Sequence, residues 1–309
     1  MSNGMRLIVM GQQAFGKDVL EKLLETGTDE VVAVYCEPDR EGKPTDPIKE
    51  FAESKDLPVH QPADFKDQAA LETLASHNAD LMVMAFVNVF VPEAARDTPK
   101  LGSICFHPSL LPLHRGPSAV NWPIIMGSTK SGFSWFYPTD GLDEGDSLLQ
   151  WECDIGADDT VIDLYFKKIY PPAVESVLEV CDLFRSGNPP RITPDEAAAT
   201  YERRCLKKHA RIDWNKPVAH VYNLIRGTNP APGAYTTFNG AKLGVFDSEK
   251  TPGDGISGRI RAITDDGIEV QSVGGRILVK RVRPEGEGKM PSTDWASSVG
   301  LKVGDEFGL

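Results

Sequence analysis

An α/β fold, with a mainly parallel sheet covered by helices on both faces and a small β-barrel after it, is the class this chain predicts. Three observations carry it. Short apolar, β-branched runs alternate with helix-spaced segments through the first two thirds. Brief β-rich segments punctuated by glycine fill the last third. At 309 residues, the chain also exceeds the roughly 100 to 200 residues of one ordinary domain.

In order, the apolar run 5–10 is followed by Gly11-Gln-Gln-Ala-Phe-Gly16 and then by Val19, Leu20, Leu23 and Leu24 at helical spacing, which predicts strand, tight turn and helix. The two glycines lack the lysine and hydroxyl of a phosphate loop and the middle glycine of a dinucleotide fingerprint, so they read as a turn. Residues 31–36 are continuously apolar, as a strand buried on both faces should be, and lead into the polar loop 37–47. Helices are expected over 48–54 and 68–76, and strands over 58–60, 80–86, 102–106 and 132–137. This alternation is Rossmann-like and predicts ligand binding at the carboxyl ends of the strands. Residues 161–187 predict a helix broken at Pro171-Pro172. The polar stretch 188–208 reads as a connection, with a boundary near Cys205 dividing 1–204 from 205–309. Beyond it come a helix over 218–226 and strands over 234–238, 242–246, 258–264, 267–272 and 276–282.

Composition narrows the function. Cys36, Cys105, Cys153, Cys181 and Cys205 are widely spaced with no C-x-x-C pair, which suggests neither a disulfide framework nor a zinc site and points to a reducing cytoplasm. No stretch approaches the ~20 apolar residues of a membrane helix, and residues 1–6 are too short and polar for a signal peptide. Residues 1–205 hold 18 Lys/Arg against 33 Asp/Glu, a balance of −15, while 206–309 hold 15 against 12, a balance of +3. So acidic a large half repels a phosphate backbone, and a nucleic-acid partner is disfavoured.

Two residues read as chemistry. His107 follows the apolar run 103–106 and so stands at the carboxyl end of a strand, although a lone histidine there more often fills a polar pocket under a loop. Asp143 lies in Asp140-Gly-Leu-Asp143-Glu-Gly145, where an aspartate by itself more often caps backbone amides. Together they can hold a proton where negative charge develops, or accept one from a nucleophile. Arg115, in His114-Arg115-Gly116, either brings a cation to an anionic ligand or is a solvated loop charge.

Several motifs in one order are far more specific than any alone. Gly11-Gln-Gln-Ala-Phe-Gly16, the loop 38–47, His107-Pro-Ser-Leu-Leu-Pro-Leu-His-Arg-Gly116, Asn121-Trp122, Asp140-Gly-Leu-Asp143, Ile212-Asp-Trp214 and Arg226-Gly227 are similar in order and spacing to the formyl-tetrahydrofolate enzymes. Across nearly the whole chain the pattern most resembles the amino-terminal hydrolase domain of 10-formyltetrahydrofolate dehydrogenase, with the methionyl-tRNA formyltransferases more distant. The resemblance implies a catalytic domain over 1–204 that binds formyl-tetrahydrofolate and an OB-like barrel over 205–309.

It also implies that His107 and Asp143 are catalytic. Cys105 stands where the transferring members carry an asparagine; an amide is a good oxyanion donor and a thiol a weak one, a loss of ~3 to 4 kcal/mol in the chemical step. The hydrolase domain lacks that asparagine too. Nothing basic besides His107 is near Cys105 in sequence, so it reads as a small neighbour lining the pocket. The expected folate pocket draws on Met84, Phe86, Val89, Phe90 and Val91, on Thr139, Asp140, Gly141 and Leu142, and on Pro108, Ser109, Leu110, Arg115 and Gly116 of the His107 loop.

The expected activity is hydrolysis of 10-formyltetrahydrofolate to tetrahydrofolate and formate, without a metal. Transfer of the formyl group to a small amine is the alternative, and a folate-binding sensor the non-enzymatic one. The loop 38–47 is short and nearly neutral where the tRNA-formylating members carry a basic one, which disfavours tRNA as acceptor. The sequence runs to Leu309 without the carrier and aldehyde-dehydrogenase domains of the dehydrogenase, so no oxidation of the formyl group is expected.

Overall fold

The computed structural model describes residues 4–308; the reading of 1–6 as no signal peptide lies partly outside them. The chain forms two compact units, one from residues 1–115, 132–152 and 168–201 and the other from 116–131, 153–167 and 202–309. Its elements begin with β1 (Arg6–Gly11), α1 (Gln13–Thr26), β2 (Glu30–Tyr35), α2 (Pro47–Ser54), β3 (Val59–His60), α3 (Gln68–Ser76), β4 (Leu81–Ala85), α4 (Glu93–Arg96) and β5 (Ser103–His107). They continue with α5 (Asn121–Met126), β6 (Lys130–Phe136), β7 (Ser147–Asp154) and α6 (Tyr170–Arg185).

One seven-stranded sheet runs β3-β2-β1-β4-β5-β6-β7. β3, β2, β1, β4 and β5 pair in parallel, whereas β6 is antiparallel to β5. The side-chain period of two explains the apolar runs. Ile8, Met10, Ala33, Tyr35, Met82 and Met84 share one buried cluster with Leu74 of α3 and Ala95 of α4. Leu7, Val9, Leu81 and Val83, of opposite parity, are equally buried. α1 packs against β1, β2 and β4 and also against α2 and α6. Gly11 lets β1 and β4 close up: a Cβ there would lie 2.3 Å from the Ala85 carbonyl oxygen.

A histidine pair sits beside this sheet. His60 stacks on Tyr35, with ring centroids 4.9 Å apart, and His77 Nε2 lies 3.1 Å from the Tyr35 hydroxyl. Burial lowers the pKa of both, and for His77 the neighbouring His60 and Arg6 add to it. The unfolded chain therefore takes up protons near the ordinary value of 6.5 while the folded chain still resists them, so stability falls as the pH drops through that value. We expect the Tm to decline between about pH 7.5 and 5.5, more steeply than in a His60→Gln/His77→Gln variant. Equal slopes in scanning calorimetry would refute this.

The second unit is built from α5, α7 (Val218–Gly227) and the strands β8 (Ala234–Phe238), β9 (Ala241–Val245), β10 (Ser248–Thr251), β11 (Ile260–Thr264), β12 (Gly267–Ser272), β13 (Gly275–Val279), β14 (Arg281–Pro284) and β15 (Met290–Pro291), with α8 (Ser292–Val299) last. The strands form two four-stranded sheets, β10-β13-β12-β11 and β15-β14-β9-β8, with antiparallel pairing. Their core includes Trp214, Val245, Ile268, Ile277, Val282 and Trp295.

Two expectations are corrected. The single strand over 276–282 is two strands in different sheets, because the backbone turns at Lys280, whose N–H donates to Asp247 and whose carbonyl accepts from Ser292. The helix over 161–187 does not break at Pro171-Pro172. A wide π turn over Asp163–Ile169 precedes α6, and its prolines sit in the first turn, where a missing N–H and a bulky ring are tolerated. Among the described residues, no helix is long and apolar enough to cross a membrane.

Candidate active site

β5 sets the orientation of the centre. Cys105 pairs with Phe136, Phe106 with Trp135 and His107 with Ser134, so alternation puts Cys105 and His107 on one face and Phe106 on the other. Phe106 packs on Phe15, with centroids 4.3 Å apart, and on Phe133 and Trp135, giving the strand end an aromatic support. The loop after His107 is braced by its own polar groups. Ser109 Oγ donates to the Leu113 carbonyl at 2.6 Å, Ser134 Oγ donates to the Ser109 carbonyl at 2.7 Å, and Leu111 N donates to Ser134 Oγ at 3.0 Å. Thus Ser109, expected to line the folate pocket, holds the loop in shape.

His107 is buried, and its ring is oriented by the backbone. Nε2 lies 3.0 Å from the His114 carbonyl oxygen; that oxygen can only accept, so Nε2 carries the hydrogen and Nδ1 faces the other way. Nδ1 lies 3.6 Å from Asp143 Oδ2, within ion-pair range but longer than a hydrogen bond. The two predicted catalytic residues, 36 positions apart in sequence, are thereby brought together.

Asp143 occupies a strained loop. Its φ is +51°, and Phe86 and His114 nearby in the unit are at +62° and +58°. Such values cost on the order of 1 to 3 kcal/mol each and cluster at functional sites. The loop is tied down by Arg96, whose Nη2 donates to Asp140 at 2.8 Å and whose Nη1 donates to the Val91 carbonyl at 2.7 Å. Glu144 accepts from the Tyr201 hydroxyl at 2.7 Å. Sequence reading missed Arg96; its only signal is a lone arginine in the short stretch between Pro92 and Pro99.

Cys105 is a neutral thiol. Burial pushes its pKa far up, and the Asp143 carboxylate adds to the effect. Arg115 is enclosed and internally paired: Nη1 and Nη2 donate to Glu196 at 2.9 and 2.7 Å, and Nη1 also donates to the Tyr201 hydroxyl at 2.5 Å. It is thus not a solvated loop charge. Gly116, at φ +111°, packs so closely on Glu202 that a Cβ would lie 2.4 Å from its carbonyl oxygen.

The other expected pocket residues divide. Phe86, Val89 and Phe90 line a cavity of about 270 Å³ together with residues following β1, β2 and β3. Thr139 lines a separate cavity of about 360 Å³ with Arg96, Tyr137 and Gly145. Met84 and Val91 lie in the core beneath. Leu110 packs against Gly132, Leu142 is exposed, Gly141 N donates to Thr139 Oγ1 at 3.2 Å, and Pro108 is half-buried. Gln12, overlooked in the sequence because it read as part of a turn, lines the first cavity. Among the described residues, no group of three or more His, Cys, Asp or Glu is arranged to hold a metal ion.

Residues 5–172 match the family described as formyl transferase, and residues 205–300 match its C-terminal domain. The chain belongs to the formyl transferase family. It is 37% identical, over 98% of its length, to the cytosolic 10-formyltetrahydrofolate dehydrogenase of Xenopus laevis, of which it covers 35%. It is 31% identical to the methionyl-tRNA formyltransferase of Fusobacterium nucleatum subsp. nucleatum, covering 98% of this chain and 100% of that protein. The chain thus spans about a third of the dehydrogenases it matches.

Two solved structures share the fold. HypX from Aquifex aeolicus in complex with tetrahydrofolic acid aligns at a TM-score of 0.67 and 18% identity, over 98% of this chain and 48% of that one. The N-formyltransferase from Helicobacter canadensis in complex with folinic acid and dTDP-3-aminofucose aligns at 0.68 and 17%, over 89% and 98%.

Proposed function

We propose that this protein hydrolyses 10-formyltetrahydrofolate to tetrahydrofolate and formate, with His107 and Asp143 as the catalytic pair. The observation that carries the reading is the approach of His107 Nδ1 to Asp143 at 3.6 Å beside Cys105, a position that offers a neutral thiol and no amide donor. Water adds to the formyl carbon, and its proton passes to the Asp143 carboxylate. His107, as the imidazolium, donates from Nδ1 to the developing oxyanion while His114 holds Nε2. The bond from carbon to N10 then breaks, N10 takes the proton held by Asp143, and tetrahydrofolate leaves with formic acid, which ionises to formate in solvent. Folate is the ligand class, and the protein's own groups supply every step.

Transfer to an amine is the second reading, favoured by the cavity that Phe86 lines next to β5. RNA as acceptor is opposed by the charge of −15 over residues 1–205 and by the loop 38–47, where Arg40 is already paired with Glu37 at 2.6 Å.

Release of tetrahydrofolate by the purified protein, with and without a panel of amines, tests the proposal. We expect release without any amine, retained within about threefold in Cys105→Ala because a half-buried thiol with its pKa pushed far up stays neutral and is no nucleophile. Release only when an amine is present would replace hydrolysis by transfer. A loss of more than about 100-fold in Cys105→Ala would make the thiol a participant.

A further inference from the structure

The polar stretch 188–208 reads in the sequence as a connection, yet as far as residue 201 it packs with the first unit and meets the loop that follows His107. Ile192 fastens it to β7, its N–H and carbonyl each bonded to Ser147 at 2.9 Å. Further along, Thr200 reaches across the turn at 112–115 with three hydrogen bonds. Its N–H donates to the Pro112 carbonyl at 3.1 Å, its Oγ1 accepts from His114 N at 2.8 Å, and its carbonyl accepts from Arg115 N at 3.0 Å. The guanidinium of Arg115, forked onto Glu196, ties the same two segments through their side chains.

These bonds have a consequence for His107. The His114 carbonyl and the Arg115 N–H belong to one planar trans peptide and point in opposite directions. Fixing the N–H on Thr200 therefore aims the carbonyl. That carbonyl is the acceptor that keeps the hydrogen on His107 Nε2 and leaves Nδ1 toward Asp143. His114 is itself at φ +58°, a conformation that persists only where its surroundings over-determine it. Thr200 supplies this from both sides, through the N–H of His114 and the N–H of Arg115.

We propose that Thr200 is a positioning residue for His107. It holds the His114 carbonyl so that the imidazole keeps its hydrogen on Nε2 and exchanges the proton of the reaction at Nδ1, and the Glu196–Arg115 pair locks Thr200 there. The proposal rests on the reading of His107 as the oxyanion donor.

Thr200→Val keeps the shape of the side chain and removes the acceptor, whereas Thr200→Ser keeps the acceptor. In protein carrying isotope-labelled histidine, proton–nitrogen NMR at about pH 9, well above the ordinary histidine pKa of about 6.5, reads the tautomer of each ring. His107→Gln assigns the signal. The parent is expected to show one form, with the hydrogen on Nε2, and Thr200→Val a mixture of both tautomers. Its kcat should fall about tenfold with KM within about twofold, and Thr200→Ser should return both readings toward the parent. A parent-like ring signal in Thr200→Val overturns the proposal, as does Thr200→Ser behaving like Thr200→Val. The signal is read without substrate, so it stands apart from the hydrolytic reading. If His107→Ala keeps its turnover, that reading fails, while the signal still decides whether Thr200 places the ring. If His107→Ala is inactive but Thr200→Val shifts the signal and turns over like the parent, the placement plays no part in the reaction and the proposal falls. Should Thr200→Val fail to fold, Glu196→Ala decides, at a side chain 61% exposed. A mixed ring signal is expected there, and a parent-like one refutes the assignment.

Discussion

Turnover of 10-formyltetrahydrofolate is expected to fall by about 10² to 10⁴ when Asp143 is replaced by alanine, the usual contribution of a positioned acid or base. The carboxylate has two tasks in the proposed reaction, taking the proton of the attacking water and balancing the charge on His107, whose Nδ1 it faces at 3.6 Å. Asp143→Asn keeps the shape and removes both tasks, so it should fall nearly as far. His107→Ala should fall by a similar factor, since the oxyanion then loses its donor. Because the two act as a unit, the double variant is expected to be no slower than the slower single one. Steady-state rates with matched thermal unfolding curves provide the check. Turnover within about threefold of the parent in either single variant would end the assignment.

How much of this was legible depended on how local the signal is. The strands at 31–36 and 80–86 declare themselves through unbroken apolar runs, since both faces of a parallel strand are buried. β7 does not, because most of its outer half is exposed and its polar residues satisfy solvent. The division at Lys280 was invisible for another reason. Residues 276–282 keep a strand-like pattern throughout, and only pairing with residues distant in sequence decides that β13 and β14 join different sheets.

The candidate site shows the same limit. His107 and Asp143 could be read from position and motif, but the His114 carbonyl that fixes the tautomer is a backbone group with no residue identity to read. Arg115 read as either a ligand's cation or a solvated loop charge, and its partner Glu196 lies 81 residues away. Arg96 carried no motif, and Gln12 sat in a run that read as a turn; what distinguishes them is burial, which a single side chain in a polar or proline-rich stretch does not reveal.

Gly145→Ala is expected to lower turnover by about 100-fold without touching any reacting group, the penalty that ~1 Å of misplacement can impose. Gly145 has φ +114°, and a Cβ built there would lie 1.9 Å from the Tyr137 carbonyl oxygen. That oxygen cannot retreat easily, since Tyr137 N is hydrogen-bonded to the Asp146 carbonyl at 2.9 Å at the base of the same loop. The loop must shift instead, and Asp143, two residues away and itself at φ +51°, shifts with it while His107 stays on β5. Gly141→Ala, four residues earlier, is the control. The atoms nearest its Cβ would be those of the Glu144 carboxylate, at 1.9 Å, and its φ lies outside the left-handed region, so a flexible side chain can swing aside. We expect Gly141→Ala to keep turnover within a few-fold, at the loss of the exposed bond from Tyr201 to Glu144. Kinetics of both variants, with Tm values to exclude unfolding, separate the outcomes. If the two alanines act alike, the placement of Asp143 does not depend on the glycine at 145, and the steric argument fails.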